Sequence, residues 1–203
     1  MKIYQFMIRK MKLISEGAEA KIYLDNNNII IKERINKKYR HKLIDEKIIK
    51  QRIKSEEKIY KKSYTEGINV PKILKTEDNK IYMEYINGNK LSEIIEEKPD
   101  LVKKLANQII LLHKHGIVHG DLTTSNVLVK ENSIYLIDFG LSKFTDRIED
   151  KATDIHLFKE CLNSRHSKNY RKLWKIFSKE YSDKEVLDRL KKIESRVRYN
   201  RVS

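Results

Sequence analysis

Val127-Leu128-Val129 and Ile134-Tyr135-Leu136-Ile137 are short apolar runs joined by a polar link from Lys130 to Ser133, a pairing that predicts a β-hairpin. This hairpin constrains the fold more than any other feature, because closing it brings the flanking residues Asn126 and Asp138 side by side. An amide oxygen and a carboxylate held at one open end are hard oxygen ligands, the kind magnesium takes alongside the phosphates of a substrate. His119-Gly120-Asp121 lies just upstream. Each of these residues alone is ordinary turn chemistry. In loop, hairpin and loop order, they form a site.

Asp121 precedes Asn126 by the D-x-x-x-x-N interval of a phosphotransfer loop, and Asp138-Phe139-Gly140 completes the set. In that plan Asp121 orients the attacking hydroxyl, while Asn126 and Asp138 hold metal. A second constellation lies far upstream. Ile29-Ile30-Ile31 before Lys32 reads as a buried strand with a lysine at its end, and such a lysine needs an anion. From Lys42 to Tyr64 the pattern turns helical, with an inward stripe through Ile49, Ile53, Glu56, Tyr60 and Tyr64. A carboxylate on a buried stripe is costly unless it meets a cation, and Lys32 is the available partner. In a kinase, a strand lysine so paired sets its ammonium on the α- and β-phosphates of ATP.

Leu13 to Tyr23 has the strand, turn, strand outline of a phosphate loop but keeps only Gly17 of G-x-G-x-x-G. One glycine permits a tight turn, and Ala18 and Ala20 are small enough to let the backbone approach phosphate, so Gly17 and Ala18 are expected ATP contacts. Glu19 is out of place in such a loop: its carboxylate either repels phosphate or has a role of its own.

Glu16-Gly17-Ala18-Glu19-Ala20, the strand ending on Lys32, Tyr39-Arg40-His41 with Leu43-Ile44-Asp45, and above all His119-Gly120-Asp121-Leu122-Thr123-Thr124-Ser125-Asn126 resemble the small atypical kinase of the KEOPS complex, the p53-related protein kinase family, in its archaeal form. RIO kinases share the broad plan, but the Thr-Thr-Ser filling is closer to the KEOPS kinase. The resemblance runs from about Met11 to the C-terminus and implies an ATP- and magnesium-dependent Ser/Thr kinase or ATPase, with Asp121 and Lys32 as catalytic residues. It implies that Glu56 is the helix partner of Lys32, that the backbone of Glu84 and Ile86 bonds adenine, and that Asp154 steadies the catalytic loop. Its implied partners are the transferase-like subunit and other KEOPS proteins, working on the threonylcarbamoyladenosine of tRNA in the cytoplasm.

The expected architecture is α+β, a minimal bilobal protein-kinase-like fold with a β-rich N-lobe and a short, mostly helical C-lobe. A single domain is drawn over 1–203, with the N-lobe at 1–85, a hinge at 86–90 and the C-lobe with its basic tail at 91–203. Pro99 is expected to start a helix ending near His115-Gly116, and Ser182-Asp183-Lys184-Glu185 reads as a capping box opening the last one. Gly120 replaces the arginine of His-Arg-Asp, removing the cation that would read a phosphate on an activation loop. The stretch from Asp138 to Asp154 is too short for a peptide-docking platform, and no Ala-Pro-Glu follows. Cys161 is the only cysteine, which suits a reducing compartment, and no apolar run approaches a membrane span.

The net charge of +15 asks for an acidic partner. Lys37, Lys38, Arg40 and Lys42 cluster ahead of the long helix, while Arg189, Lys191, Lys192, Arg196, Arg198 and Arg201 crowd the tail. Single charges there are ordinary solvated helix faces, but the total excess points to tRNA, with Arg196, Arg198 and Arg201 as the expected contacts. His113, His115 and His119 lack the cysteine or carboxylate set of a zinc site, and Trp174, Phe177 and Tyr181 follow the spacing of core residues. Thr123, Thr124 and Ser125 are assigned to loop geometry and a contact with phosphate or Asp121. Two other classes fit parts of the pattern: a non-catalytic tRNA-binding scaffold that retains a nucleotide pocket, and a small-molecule phosphotransferase.

Overall fold

Short runs rich in isoleucine, leucine and tyrosine in the first half of the chain form five antiparallel strands, β1 (Lys12–Glu16), β2 (Ala20–Leu24), β3 (Ile29–Arg34), β4 (Ile73–Glu77) and β5 (Lys80–Glu84). The computed structural model describes residues 11–37 and 39–199, with side chains as far as Arg196. Two compact units divide it: one runs to Glu57 and takes in Lys72–Tyr85, and the other comprises Lys58–Pro71 and everything from Ile86 onward. In the first unit the strand order is β1-β2-β3-β5-β4, so the isoleucine-rich β3 is central. Lys32 does not end this strand. Pairing continues through Glu33 with Lys80 and Arg34 with Ala20, which carries β3 two residues further.

Helix α1 (Lys42–Thr65) begins as the sequence indicates, and its first turn is tied down by Asp45. That buried carboxylate accepts from the Lys37 amide at 2.8 Å and from Arg40 at 3.2 Å, at the helix end where a negative charge is favoured. Ile49, Ile53, Glu56 and Tyr60 are all buried, but Tyr64 is 52% exposed and Ser63 takes the inward position. Two consecutive four-residue steps rotate about 80° off a helix face, and a three-residue step returns to it.

The second unit holds β6 (Asn89–Lys90), α2 (Leu91–Ile94), α3 (Leu101–Lys114), β7 (Ile117–Val118), β8 (Val127–Lys130), β9 (Ser133–Leu136), β10 (Lys143–Phe144), α4 (Ile148–Arg165), α5 (Tyr170–Glu180) and α6 (Lys184–Tyr199). The expected hairpin is β8–β9, turning at Glu131 and Asn132, both at positive φ. The last two residues of the sequence-assigned hinge, Asn89 and Lys90, instead form β6 on β8 and lead directly into α2. Helix α3 starts at Leu101 and not at Pro99, whose carbonyl accepts the Val102 amide in the turn ahead. It ends at Lys114, and just past its cap His115 comes Gly116, whose φ of +66° is the left-handed conformation that glycine supplies.

Leu101, Leu105, Ala106, Ile109 and Leu112 of α3 form a buried stripe with Phe158 and Leu162 of α4, Leu173 and Phe177 of α5, and Val186 and Leu190 of α6 also inside. Phe177 stacks on Tyr181 with ring centroids 5.7 Å apart and on Trp174 at the same distance, so this spacing builds core. Asp183, and not Ser182, caps α6, accepting the Val186 amide at 3.1 Å, because the first helical residue is Lys184. No helix among the described residues is long and apolar enough to cross a membrane.

Candidate active site

In the first unit Glu56 sits between two cations. Its Oε1 lies 2.6 Å from Lys32 Nζ and its Oε2 2.6 Å from Arg34 Nη2. All three side chains are buried. Residues two apart on a strand share a face, so β3 turns Lys32 and Arg34 together toward the α1 stripe that carries Glu56. The sequence reading missed Arg34, though strand alternation past Lys32 was the signal for it. A carboxylate with a charged partner on each oxygen keeps one partner whenever the other turns to an anion.

The turn between β1 and β2 carries Gly17, Ala18 and Glu19, closed by the Gly17 amide donating to the Ala20 carbonyl at 3.0 Å. A side chain at Gly17 would meet only the Ala20 carbonyl oxygen at 3.8 Å, so glycine is not demanded by this turn. Glu19 reaches back to Arg52 of α1 and to Lys37, while Lys37 also donates to the Ala18 carbonyl. Partial burial works to raise the Glu19 pKa, but Arg52 and Lys37 outweigh it and hold the carboxyl below its ordinary value. Glu84 closes β5 with its amide on the Lys72 carbonyl at 2.9 Å. Ile86 is buried and belongs to the second unit.

The second unit assembles the loop and hairpin. Ile137 donates its amide to the Asn126 carbonyl at 3.0 Å, extending the β8–β9 ladder up to Asp138. Asn126 Nδ2 donates to both the Asp121 carbonyl and Asp121 Oδ2, each at 2.9 Å. With its nitrogen so engaged, the amide presents its oxygen elsewhere, as a metal ligand must. Asp138 is solvent-exposed at φ 64°, its amide on the Tyr60 hydroxyl at 3.0 Å. Phe139 beside it is buried against Tyr60, with centroids 4.8 Å apart, and His119, at 4.9 Å. An amide oxygen and a carboxylate are donors that fit magnesium.

Asp154 of α4 is buried and grips the start of the loop: Oδ2 accepts the His119 amide at 2.7 Å and Oδ1 the Gly120 amide at 2.9 Å. His113 Nε2 lies 3.1 Å from the same Oδ2, and His113 Nδ1 lies 2.7 Å from the Tyr181 hydroxyl, whose pKa burial pushes up. Burial alone would raise the Asp154 pKa, but the His113 hydrogen bond and charge, with the His119 amide, hold it below the ordinary Asp value of 3.8. A depressed folded-state pKa gives stability that is present above the unfolded value and is lost as pH falls through the folded one. The stability gap between wild type and Asp154→Asn, measured by urea unfolding from pH 7 downward, is therefore expected to narrow below about pH 4. A gap that stayed constant into acid would contradict this.

Thr124 and Ser125 do not turn to Asp121. Thr124 is buried with its hydroxyl 3.1 Å from His166 Nε2, and Ser125 accepts from Arg165 at 2.6 Å. Of the basic residues assigned to tRNA, Arg196 is exposed, while the Arg198 side chain and all of Arg201 lie outside the described residues, as does Lys38. Arg189 pairs with Glu149 and Lys191 with Asp188, so part of the tail charge is compensated locally.

A strand lysine paired to a helix glutamate, with an Asp, Asn and Asp set on a loop and hairpin, defines a minimal protein-kinase-like fold of the α+β class. Residues 21–163 match the model of the RIO domain. Among solved structures, the chain is similar to the Rio2 kinase of Chaetomium thermophilum in its ADP/Mg2+-phosphoaspartate complex, with a TM-score of 0.64 and 18% identity over 92% of this chain and 69% of that one. Among curated proteins, it is 39% identical to the KEOPS complex subunit Bud32 of Pyrococcus abyssi, covering 93% of this chain and 96% of that protein. A probable serine/threonine-protein kinase BUD32 homolog of Archaeoglobus fulgidus is 33% identical over 90% of this chain and 94% of its own length. A probable bifunctional tRNA threonylcarbamoyladenosine biosynthesis protein of Methanosarcina barkeri is 36% identical over 93% of this chain, which spans 36% of that longer protein. The chain belongs to the Bud32 family of RIO-domain kinases.

Proposed function

We propose that this protein is an ATP- and magnesium-dependent atypical Ser/Thr kinase or ATPase serving as a KEOPS subunit, in support of threonylcarbamoyladenosine modification of tRNA. The observation that carries the reading is the Asp121–Asn126 pair. The Asn126 amide nitrogen donates to Asp121 Oδ2 at 2.9 Å, which supports a reading in which the amide oxygen serves as the metal ligand. Bound magnesium would neutralise charge developing on the transferring phosphoryl group. Lys32 holds the α- and β-phosphates with Glu56 behind it, Gly17 and Ala18 cover them, and the backbone of Glu84 and Ile86 takes adenine. Asn126 and Asp138 hold the metal, and Asp121 orients a Ser/Thr hydroxyl or a water in line with the γ-phosphoryl group. Asp154 supports the loop from below.

The excess positive charge, with Arg196, Arg198 and Arg201 at its C-terminal end, favours tRNA as the polyanionic partner, and the transferase-like subunit as the protein partner follows from the Bud32 relatives. The cytoplasm, where tRNA is modified, is the compartment this reading requires. The test is labelled-ATP turnover with and without tRNA and partner subunits, scored for free phosphate against phosphoprotein. Asp121→Asn is expected to lower turnover by about 100-fold or more, since it removes the group that orients the nucleophile. Full turnover in that variant would refute the assignment.

A further inference from the structure

The loop from His119 to Asn126 is held at both ends by the same helix. Asp154 grips its first amides, and seven residues later on α4, Cys161 meets Thr124, whose amide lies 3.5 Å and hydroxyl 3.6 Å from Cys161 Sγ. Seven residues are nearly two turns, so both contacts fall on one face of α4, about 10 Å apart along its axis. Thr124, the first residue of the 3-10 turn that ends on Asn126, is fully buried.

The Thr124 hydroxyl also lies 3.1 Å from Nε2 of His166, the buried residue that caps the end of α4. His166 Nδ1 lies 3.4 Å from Glu96 Oε1, and Glu96 Oε2 accepts from Asn169 at 3.2 Å. A carboxylate oxygen accepts, so the hydrogen bond here runs from Nδ1 to Glu96. In the neutral ring Nε2 is then an acceptor, and the Thr124 hydroxyl donates to it. Each link fixes the direction of the next, from Asn169 and Glu96 through His166 to Thr124.

We propose that Glu96, His166 and Thr124 are positioning residues, a hydrogen-bonded chain that locks the turn carrying Asn126 and, through the Asn126 amide, sets Asp121. This assignment rests on the functional reading above. Asp154 sets where the loop begins; the chain sets where it ends, and the Asp121–Asn126 pair is spanned between the two anchors. The hydroxyl is the essential group, since it is the hydrogen-bond partner of the buried His166 Nε2.

The test compares Thr124→Val, which keeps the shape without the hydroxyl, with Thr124→Ser, which keeps the hydroxyl. Both are made in the full chain and read by amide hydrogen exchange over residues 121–126 and by ATP turnover with separate kcat and KM. Thr124→Val is expected to speed exchange at Ser125 and Asn126 about tenfold and to lower kcat about 10- to 100-fold, with KM for ATP within about twofold. Thr124→Ser is expected to restore both to within about threefold of wild type. Equal behaviour of the two variants, or unchanged exchange in Thr124→Val, would overturn the proposal. A wild-type chain that turned over no ATP would sink the functional reading instead, and exchange alone would then decide whether the chain locks the turn.

Discussion

Glu56→Gln is expected to destabilise the protein by about 3–5 kcal/mol, the cost of leaving buried charge without its partner. Glutamine has nearly the volume of glutamate, so no cavity confuses the result. Its amide can offer an oxygen to only one of Lys32 and Arg34, and turns N–H donors toward the other at a site now occupied by cations 2.6 Å from each carboxylate oxygen. Glu56 is 1% exposed, which keeps water from screening the loss. Arg34→Met removes one cation and leaves the carboxylate paired with Lys32, so its cost is expected to be smaller. Urea unfolding with an unchanged m-value reads the difference. A Glu56→Gln midpoint equal to that of wild type would show that the three side chains are not coupled.

Gly120→Arg, which restores the residue of ordinary kinase loops, is expected to lower turnover by about 100-fold, and Gly120→Ala by a similar factor. Gly120 has a φ of +79°, and a Cβ there would lie 2.3 Å from the Leu141 carbonyl oxygen and 2.8 Å from its carbon. The left-handed conformation alone costs a non-glycine residue about 1–2 kcal/mol. The clash is with backbone, so the loop must move by roughly 1 Å, a displacement that costs on the order of 100-fold in rate when it falls on positioned groups. Gly120 adjoins Asp121 and donates to Asp154 at 2.9 Å, so the shift falls on both. Single-turnover ATP assays beside circular dichroism separate misplacement from unfolding. Wild-type turnover in Gly120→Arg would show that the loop tolerates the side chain. The missing arginine thus has a steric cause that the sequence, read through regulation, did not reveal.

The hairpin, the long helix and the Lys32–Glu56 pair were legible because each rests on local periodicity. Short apolar runs around a polar turn, helical spacing and a buried carboxylate's need for a cation all act within a few residues or through a single charge. What failed were boundaries and second partners. A second consecutive step of four carries Tyr64 off the buried face, and a two-residue strand such as Asn89–Lys90 has no period of its own to mark it in the sequence. Thr124 and Ser125 are assigned from sequence to loop geometry and a contact with phosphate or Asp121, and no local pattern marks the distant side chains that their hydroxyls meet. Their partners, His166 and Arg165, are 42 and 40 residues away.

The order of residues alone determined which groups this protein has to work with: an amide and a carboxylate flanking a hairpin, a strand lysine that needs an anion, and a helix carboxylate that must meet it. The tertiary structure alone decided how those groups are held. Arg34 shares Glu56, Asp154 and Thr124 tie the loop from His119 to Asn126 to one face of α4, and the Leu141 backbone leaves room only for glycine at position 120. The reason is physical: a side chain's identity fixes what it can bond, whereas burial and closeness depend on chain segments that meet only after folding.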